Sequence, residues 1–278
     1  MINCIRRKLA KRRIKRTFSE YGSQVTEFEL PEFGKVRFSR WLNPLEGEKV
    51  ITQGQVDFYQ KFLRKGDFII DIGAHIGDST MPMALAVGKE GLSLAFDPNP
   101  YVYSILVENA ALNPSLTHIV PLNMAITSHD GDFYYNSSEA TFNNGGIAET
   151  KENYHGKYGL SHKVRGVNLF TFLTTTYPEE LQRLKLIKVD AEGYDIEILK
   201  SILPVIQKYK PHLIFECFKQ LKKQGRYDLF DLIAAQGYNL HYVEDFDVSA
   251  KMELLHREGM THRKHFDIIA IPNNPEPK

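Results

Sequence analysis

The stretch FIIDIGAHIGDST, residues 68–80, sets two carboxylates and two glycines around a lone histidine, His75, directly after an apolar run. Gly73 and Gly77 allow a sharp strand-to-helix turn and a close approach of backbone to ligand. Their spacing is G-x-x-x-G, whereas a dinucleotide fingerprint reads G-x-G-x-x-G and rests its diphosphate on a helix N-terminus. Asp71, ending the strand, would repel a diphosphate. It suits a ligand that carries an ammonium and a sulfonium, as S-adenosylmethionine does. An NAD-dependent oxidoreductase is the rival reading, disfavoured by Asp71 and by the missing middle glycine.

Asp97 supports the same ligand. It ends the next apolar run in LAFDPNP, twenty-four residues beyond Gly73, where a carboxylate accepts hydrogen bonds from both hydroxyls of an adenosine ribose. Alternatively it caps the helix that begins near Asn99. Asn123 and Ala125, just past the third apolar run, fall where an adenine edge would lie, although a turn-forming Asn reads equally well. DPNPY (97–101) resembles the Asp-Pro-Pro-Tyr tetrapeptide of amino-methylating enzymes, but that tetrapeptide follows a fourth strand and this one follows the second. Methylation of an exocyclic amine is therefore disfavoured.

Three further acids, Asp190, Glu192 and Glu216, stand at the ends of the fourth and fifth runs, KVDAEGYD and HLIFEC. Ligands of open parallel sheets sit outside the carboxyl ends of the strands. Acids converging there could deprotonate a hydroxyl, orient it, or hold a divalent cation through oxygen. The metal-free version is preferred, since nothing in the sequence demands an ion; Glu192 also suits a first-turn acid on a helix dipole. Lys188 points along a buried strand and is expected to pair with an acid. His75 is expected either to approach the methionine end of the ligand or to cap a helix. His241, His155 and His162 are alternative bases, and the tyrosines around YHGKYG suit stacking on a sugar ring.

The elements that must hold these residues follow from periodicity. Strand-like runs at 67–72, 92–96, 118–122, 184–190, 212–217, 238–243 and 265–271 alternate with helical patterns at 78–88, 99–112, 168–176, 194–208 and 219–236. Continuous apolar strands alternating with helices predict a parallel sheet covered on both faces. The last two runs are joined without a helical pattern and should pair antiparallel, giving seven strands, six parallel and one reversed. Before them, residues 21–65 read as a β-rich segment followed by a helix at about 54–64. Residues 126–166 have strand-like ends around a Gly/Asn/Ser/Thr-rich centre, as a functional or a disordered loop would.

The chain of 278 residues can bury a substantial core, and no apolar run reaches the length of a membrane span. Two cysteines make no disulfide framework, so a reducing, cytoplasmic setting is expected. The net charge of +1 hides an asymmetry: residues 1–16 hold eight Lys/Arg and no acid, leaving 27 basic against 34 acidic residues in the body. This head lacks the apolar core of a secretory signal. It is read either as a solvated tail or as a contact for an anionic membrane surface. The acidic body makes nucleic acid an unfavoured partner. Oligomeric state is not legible.

FIIDIGAHIGDST, AFDPNP, IKVDAEGYDIEILKSI and HLIFECF, in this order, resemble the FkbM family of S-adenosylmethionine-dependent methyltransferases over roughly residues 50–272. The resemblance implies a class I, Rossmann-like α/β methyltransferase fold and O-methylation, often of sugars or polyketide hydroxyls. It implies cofactor roles for Asp71, Gly73, Ala74, Gly77 and Asp97, the last where the family usually has Glu, and it matches Asn123-x-Ala125. The expected organisation is a basic tail at 1–20, a β/α segment at 21–65, and a methyltransferase domain at 66–272 carrying the 126–166 insertion. The expected cofactor set is Asp71, Gly73, Ala74, His75, Gly77, Ser79, Asp97, Asn123 and Ala125; the expected catalytic set is Asp190, Glu192 and Glu216. The expected acceptor is a small molecule or glycan, and the second rival is a non-catalytic S-adenosylmethionine-binding protein.

Overall fold

The structure, a computed structural model, describes residues 9–151, 156–191 and 193–273. A hairpin of β1 (Ser23–Leu30) and β2 (Gly34–Trp41) comes first, then helix α1 (Gln53–Gln60). Thr52 and Gln55 close a capping box at the start of α1: each side chain accepts the other's backbone N–H, at 3.2 and 2.9 Å. Such a box stabilises a helix start by about 1 kcal/mol. The chain continues through β3 (Phe68–Ile72), α2 (Thr80–Val87), β4 (Leu92–Phe96), α3 (Pro100–Leu112) and β5 (Ile119–Leu122). Next come β6 (Ala125–Ile126), β7 (Gly131–Ser137), β8 (Gly146–Ala148), β9 (Tyr158–Gly159), β10 (Val164–Val167) and α4 (Leu169–Thr176). The rest is β11 (Leu184–Val189), α5 (Asp195–Ser201), α6 (Leu203–Tyr209), β12 (His212–Cys217), α7 (Lys223–Ala234), β13 (Tyr238–Val243), β14 (Met252–Leu254) and β15 (Phe266–Pro272).

The main sheet has the order β14-β13-β15-β12-β11-β3-β4-β5. Its strands from β5 to β12 pair parallel, β15 runs antiparallel to both β12 and β13, and β14 is antiparallel to β13. The sheet thus has eight strands among the described residues, against seven expected. The additional β14 is a three-residue, fully exposed edge strand whose residues Met252–Leu254 carry too little pattern to read.

Side chains alternate across this sheet. Ile70, Leu94, Ile187, Phe215 and Ile268 face one core with α4 to α7; Ile69, Ala95, Leu186, Ile214 and Ile269 face the other with α1 to α3 and the hairpin. Each such burial contributes about 1.5–3 kcal/mol, which is why the strands read as unbroken apolar runs. Asp71 and Lys188 share the second face with Ile69 and Leu186. They therefore point to the α1 and α2 side of the sheet, Asp71 beneath the cavity and Lys188 reaching its wall.

Two expectations need correcting. The helical pattern at 194–208 is two helices that meet at Ile202, because Pro204 lacks an N–H and its ring crowds the carbonyl four residues back. The pattern at 219–236 becomes helix only from Lys223; 219–220 form a turn and 221–222 are irregular. The insertion forms a small sheet of order β6-β10-β7-β8, with β9 on β7 and a core of Phe133, Tyr135, Phe142 and Val164. Among the described residues no helix is long and apolar enough to cross a membrane.

Candidate active site

A cavity of about 420 Å³ opens at the carboxyl ends of β3, β4 and β11. Its floor is the glycine turn. Gly73 has φ +80°, and a Cβ there would stand 1.8 Å from the carbonyl oxygen of Asp190, so only glycine lets these two turns touch. The N–H groups of Gly73 and Ala74 both donate to Phe96 O, at 2.9 and 3.0 Å. His75 itself takes φ +51°, a left-handed conformation that its neighbours must hold in place.

Asp97 joins the turns after β3 and β4. One carboxylate oxygen accepts the His75 N–H and the other the Asn99 N–H, each at 2.8 Å. The residue is buried to 7% exposure yet lines the cavity. Burial pushes its pKa up, while His75 and the two N–H donors pull it down. Each oxygen retains a lone pair for a further donor from the cavity. Asn99 also caps α3, its side chain accepting the Tyr101 N–H at 3.1 Å with Pro100 following.

Asp71 lies one layer below. It is fully buried, and one oxygen accepts from Ser79 Oγ (2.9 Å) and Thr80 Oγ1 (2.6 Å). Its other oxygen has no hydrogen-bond partner and faces Lys188 Nζ at 3.6 Å. Lys188 Nζ reaches Asp190 at 3.1 Å. Burial opposes the lysine's charge, but the Asp190 and Asp71 carboxylates outweigh it and hold its pKa above the ordinary range. Lys188 is thus a fixed cation in the cavity wall, with the half-exposed Asp190 carboxylate above it.

The outer walls come from elsewhere in the chain. The loop after the hairpin supplies Glu46 and Lys49, and Lys49 Nζ bridges Asp78 (2.7 Å) and Glu46 (3.1 Å). Burial works against both charges, and their pairing keeps Lys49 above and Asp78 below its ordinary pKa. The His75 ring packs edge-on against Trp41 at 5.9 Å, with Nε2 4.0 Å from Glu46. The insertion supplies Tyr135 and residues 143–147, and Ala191, Tyr194, Ile198 and Phe246 complete the wall. Glu46 and Lys49 carried no signal in the sequence, because they precede the glycine turn in a stretch without periodicity.

Of the expected residues, Gly73, His75, Ser79, Asp97, Ala125 and Asp190 line the cavity. Asp71, Ala74, Gly77, Asn123 and Glu216 do not, and each has a local reason. Asp71 follows the strand's alternation to the buried face. The Ala74 side chain is buried in the core beneath the turn. Gly77 (φ +91°) sits where a Cβ would meet Leu106 Cδ1 at 2.9 Å. Asn123 acts indirectly, donating to the Asp97 backbone carbonyl at 2.9 Å. Glu216 is held 2.8 Å from His265 Nε2.

Glu192 and His155 lie outside the described residues, as does the basic head up to residue 8. His241 and His162 are described and do not line the cavity. Lys188 pairs with acids, as its place on a buried strand suggests. Asp195, which sequence reading passed over, is buried at the start of α5, where it accepts the Gly193 N–H at 3.0 Å. Burial, and then Asp190, push its pKa up to about 6.

The strand order and the cavity at the carboxyl edge define a class I methyltransferase-like α/β protein. The Methyltransferase FkbM domain matches residues 71–240, and the chain belongs to that family. The methyltransferase sdnD of Sordaria araneosa is 29% identical over 161 residues, covering 50% of this chain and 62% of that protein. The hexuronic acid methyltransferase AglP of Haloferax volcanii is 24% identical over 194 residues, 68% of each chain. Among solved structures, the methyltransferase FkbM of Methylobacillus flagellatus aligns with a TM-score of 0.46 at 13% identity, covering 76% of this chain and 47% of that one. An O-methyltransferase from Bacillus cereus, in complex with SAH, aligns at 0.44 and 12% identity, covering 81% and 84%. The match therefore spans less than two thirds of the sdnD protein and about half of the M. flagellatus chain.

Proposed function

We propose that this chain transfers a methyl group from S-adenosylmethionine to a hydroxyl oxygen of a small molecule or sugar. The observation that carries the reading is Asp97: a buried carboxylate at the end of β4, tied to two backbone N–H groups, with acceptor capacity left toward the cavity. The wall around it fits the cofactor's charge. Glu46, Asp78, Asp97 and Asp190 face Lys49 and Lys188, an acidic excess that favours an ammonium and a sulfonium. Phe96, Met124, Ala125 and Ile126 give an apolar surface suited to an adenine.

When bound, the cofactor supplies an electrophilic methyl group. The residues of this chain bind, orient and move a proton. Asp97 would take the ribose hydroxyls, and the backbone of Gly73 and His75 would pass close to the methionine end. Lys188, held protonated, is no base; it fixes the Asp190 side chain in place through their 3.1 Å contact. Asp190 would then accept or orient the acceptor's hydroxyl proton, and Glu192 remains proposed beside it from its place in the sequence. Glu216, paired with His265 away from the wall, is not carried forward. Most of the rate would come from alignment, with a base adding roughly 10²–10⁴-fold. A cytoplasmic location accords with this cofactor, and no metal is assigned a role.

Calorimetry with S-adenosylhomocysteine tests the reading. The wild-type chain should bind it and should not bind NAD. Asp97→Ala should weaken binding about ten-fold or more, since charge-assisted hydrogen bonds contribute about 1.5–3 kcal/mol each. Unchanged affinity would leave Asp97 as a structural tie between two turns. Release of S-adenosylhomocysteine with any of a panel of hydroxylated sugars would exclude a non-catalytic binding role.

A further inference from the structure

Two basic surfaces border the cavity mouth, and neither belongs to the cavity. The first is the N-terminal arm. Residues 9–14 are helical, and Lys11, Arg12, Arg13 and Arg16 are exposed. The arm is docked: Lys15 pairs with Glu139, its carbonyl accepts the Ala140 N–H at 2.8 Å, and Phe18 packs on Tyr101 (5.5 Å) and Phe142 (6.1 Å). Tyr101 stands in the first turn of α3, immediately after the carboxyl end of β4. The arm therefore lies on the carboxyl edge of the sheet.

The second surface lies across the mouth. The turn after β12 (218–222) and the turn before β15 (262–265) are clamped side by side by buried Arg226. Its guanidinium donates to Leu221 O and to the carbonyls of Met260, Arg263 and Lys264. Because β15 is antiparallel, its start lies at the same edge as the end of β12, with Cys217 opposite Phe266. Residues 217–227 and 259–266 contain no acid. Lys219, Lys222, Lys223 and Lys264 are exposed, and none forms an ion pair among the described residues. The two surfaces are separated by three to four strand spacings, roughly 14–19 Å, with the cavity between them.

Exposed apolar groups accompany these surfaces: Leu9 (59%) and Phe18 (50%) on the arm and, in the cavity wall, Tyr194 (41%). Unpaired cations on both sides of an opening, with exposed apolar groups on the arm and in the cavity wall, complement an anionic bilayer.

We propose that the carboxyl edge is a membrane-docking face that seats the cavity mouth on an anionic lipid surface, so that the acceptor is met at the bilayer. This meaning of the acceptor rests on the methyltransferase reading; the docking itself does not. Basic groups near such a surface attract it within a Debye length, so added salt should weaken the contact.

Co-sedimentation of the full chain with phosphatidylcholine vesicles, with and without phosphatidylglycerol, tests the proposal. Binding should require phosphatidylglycerol and fall with salt. Lys219→Gln/Lys222→Gln/Lys223→Gln/Lys264→Gln should reduce partitioning by about ten-fold or more, as should Arg12→Gln/Arg13→Gln/Arg16→Gln. Lys222→Gln/Lys264→Gln, which spares the lysines packed on aromatic rings, should give an intermediate loss if the larger variant folds poorly. Lys89→Gln/Lys208→Gln, away from this face, should bind as the wild type does. Failure of the wild type to bind, equal binding to pure phosphatidylcholine, or undiminished binding by the turn variants would overturn the proposal. Preference for an RNA homopolymer over vesicles would overturn it in favour of nucleic acid. Affinity for S-adenosylhomocysteine should be the same in all variants, so failure of the cofactor reading appears in the wild type and separately from this result.

Discussion

The inner and outer walls of the cavity are built by different means. The inner wall is the ends of β3, β4 and β11, where Gly73 touches the Asp190 backbone and Asp71, Lys188 and Asp97 are buried in fixed contacts. The outer wall is loops and a sheet edge: residues 143–145 and the first two residues of β8 from the insertion, with the Glu46–Lys49 segment. Side chain–backbone bonds such as Asn99 to Phe142 O (2.7 Å) and Asn43 to Thr141 O (3.4 Å), with the half-exposed Phe18, hold the neighbouring 139–142 turn in place. A cofactor common to many enzymes needs one rigid geometry, whereas an acceptor particular to one enzyme is better met by loops that change without disturbing the core.

The comparison breaks if the inner wall tolerates change. Lys188→Met leaves Asp71 buried and unpaired and should cost about 3–5 kcal/mol in chemical denaturation. Adding Asp71→Asn should recover most of that loss, and no recovery would mean that Lys188 acts by packing alone. Gly73→Ala forces a Cβ into the Asp190 carbonyl at positive φ. It should cost about 3 kcal/mol and abolish S-adenosylhomocysteine binding, because the turns after β3 and β11 must part.

A pH measurement sharpens the same contrast. The Asp195 carboxyl is pushed up to about 6 in the folded chain from an ordinary 3.8. A raised carboxyl binds its proton more tightly when folded, so its contribution is full below pH 3.8 and is lost as pH rises through 6. Asp195→Asn keeps an acceptor for the Gly193 N–H and should flatten this decline by on the order of 1–3 kcal/mol. An unaltered stability profile between pH 4 and 7 would show that the buried carboxyl stays ionised. The smallest effect belongs to the outer wall. Phe18→Ala should cost at most about 1 kcal/mol and leave cofactor affinity unchanged, while raising the acceptor's KM and speeding proteolysis within 139–151.

Sequence legibility follows the same division. The strands of the main sheet were readable because burial on both faces leaves them continuously apolar, and only the exposed β14 escaped. That Asp97 and Gly73 would line a cavity was readable because sharp turns at the carboxyl ends of strands restrict residue type. Asp71 was recognised by type, and counting alternation from Ile69 puts it on the buried face, beneath the cavity rather than in its lining. Lys49 carried no signal, since it meets Asp78 only through the fold. The insertion read as a loop because Phe133, Tyr135, Phe142 and Val164 are too dispersed to show a period, yet together they make a core.

The meeting of Gly73 with the Asp190 carbonyl has a consequence for how such a protein can diversify. The space of one missing methyl group is occupied by the backbone that follows β11, so the path of the chain at 190 is dictated from 73. The side chains that leave that path are not. Substitutions at 191 and 194 can alter what is bound above the sheet while the trace beneath them stays put. Chimeras that graft the segment after β11 from a relative should therefore inherit its acceptor preference without recutting the wall proposed to hold the cofactor.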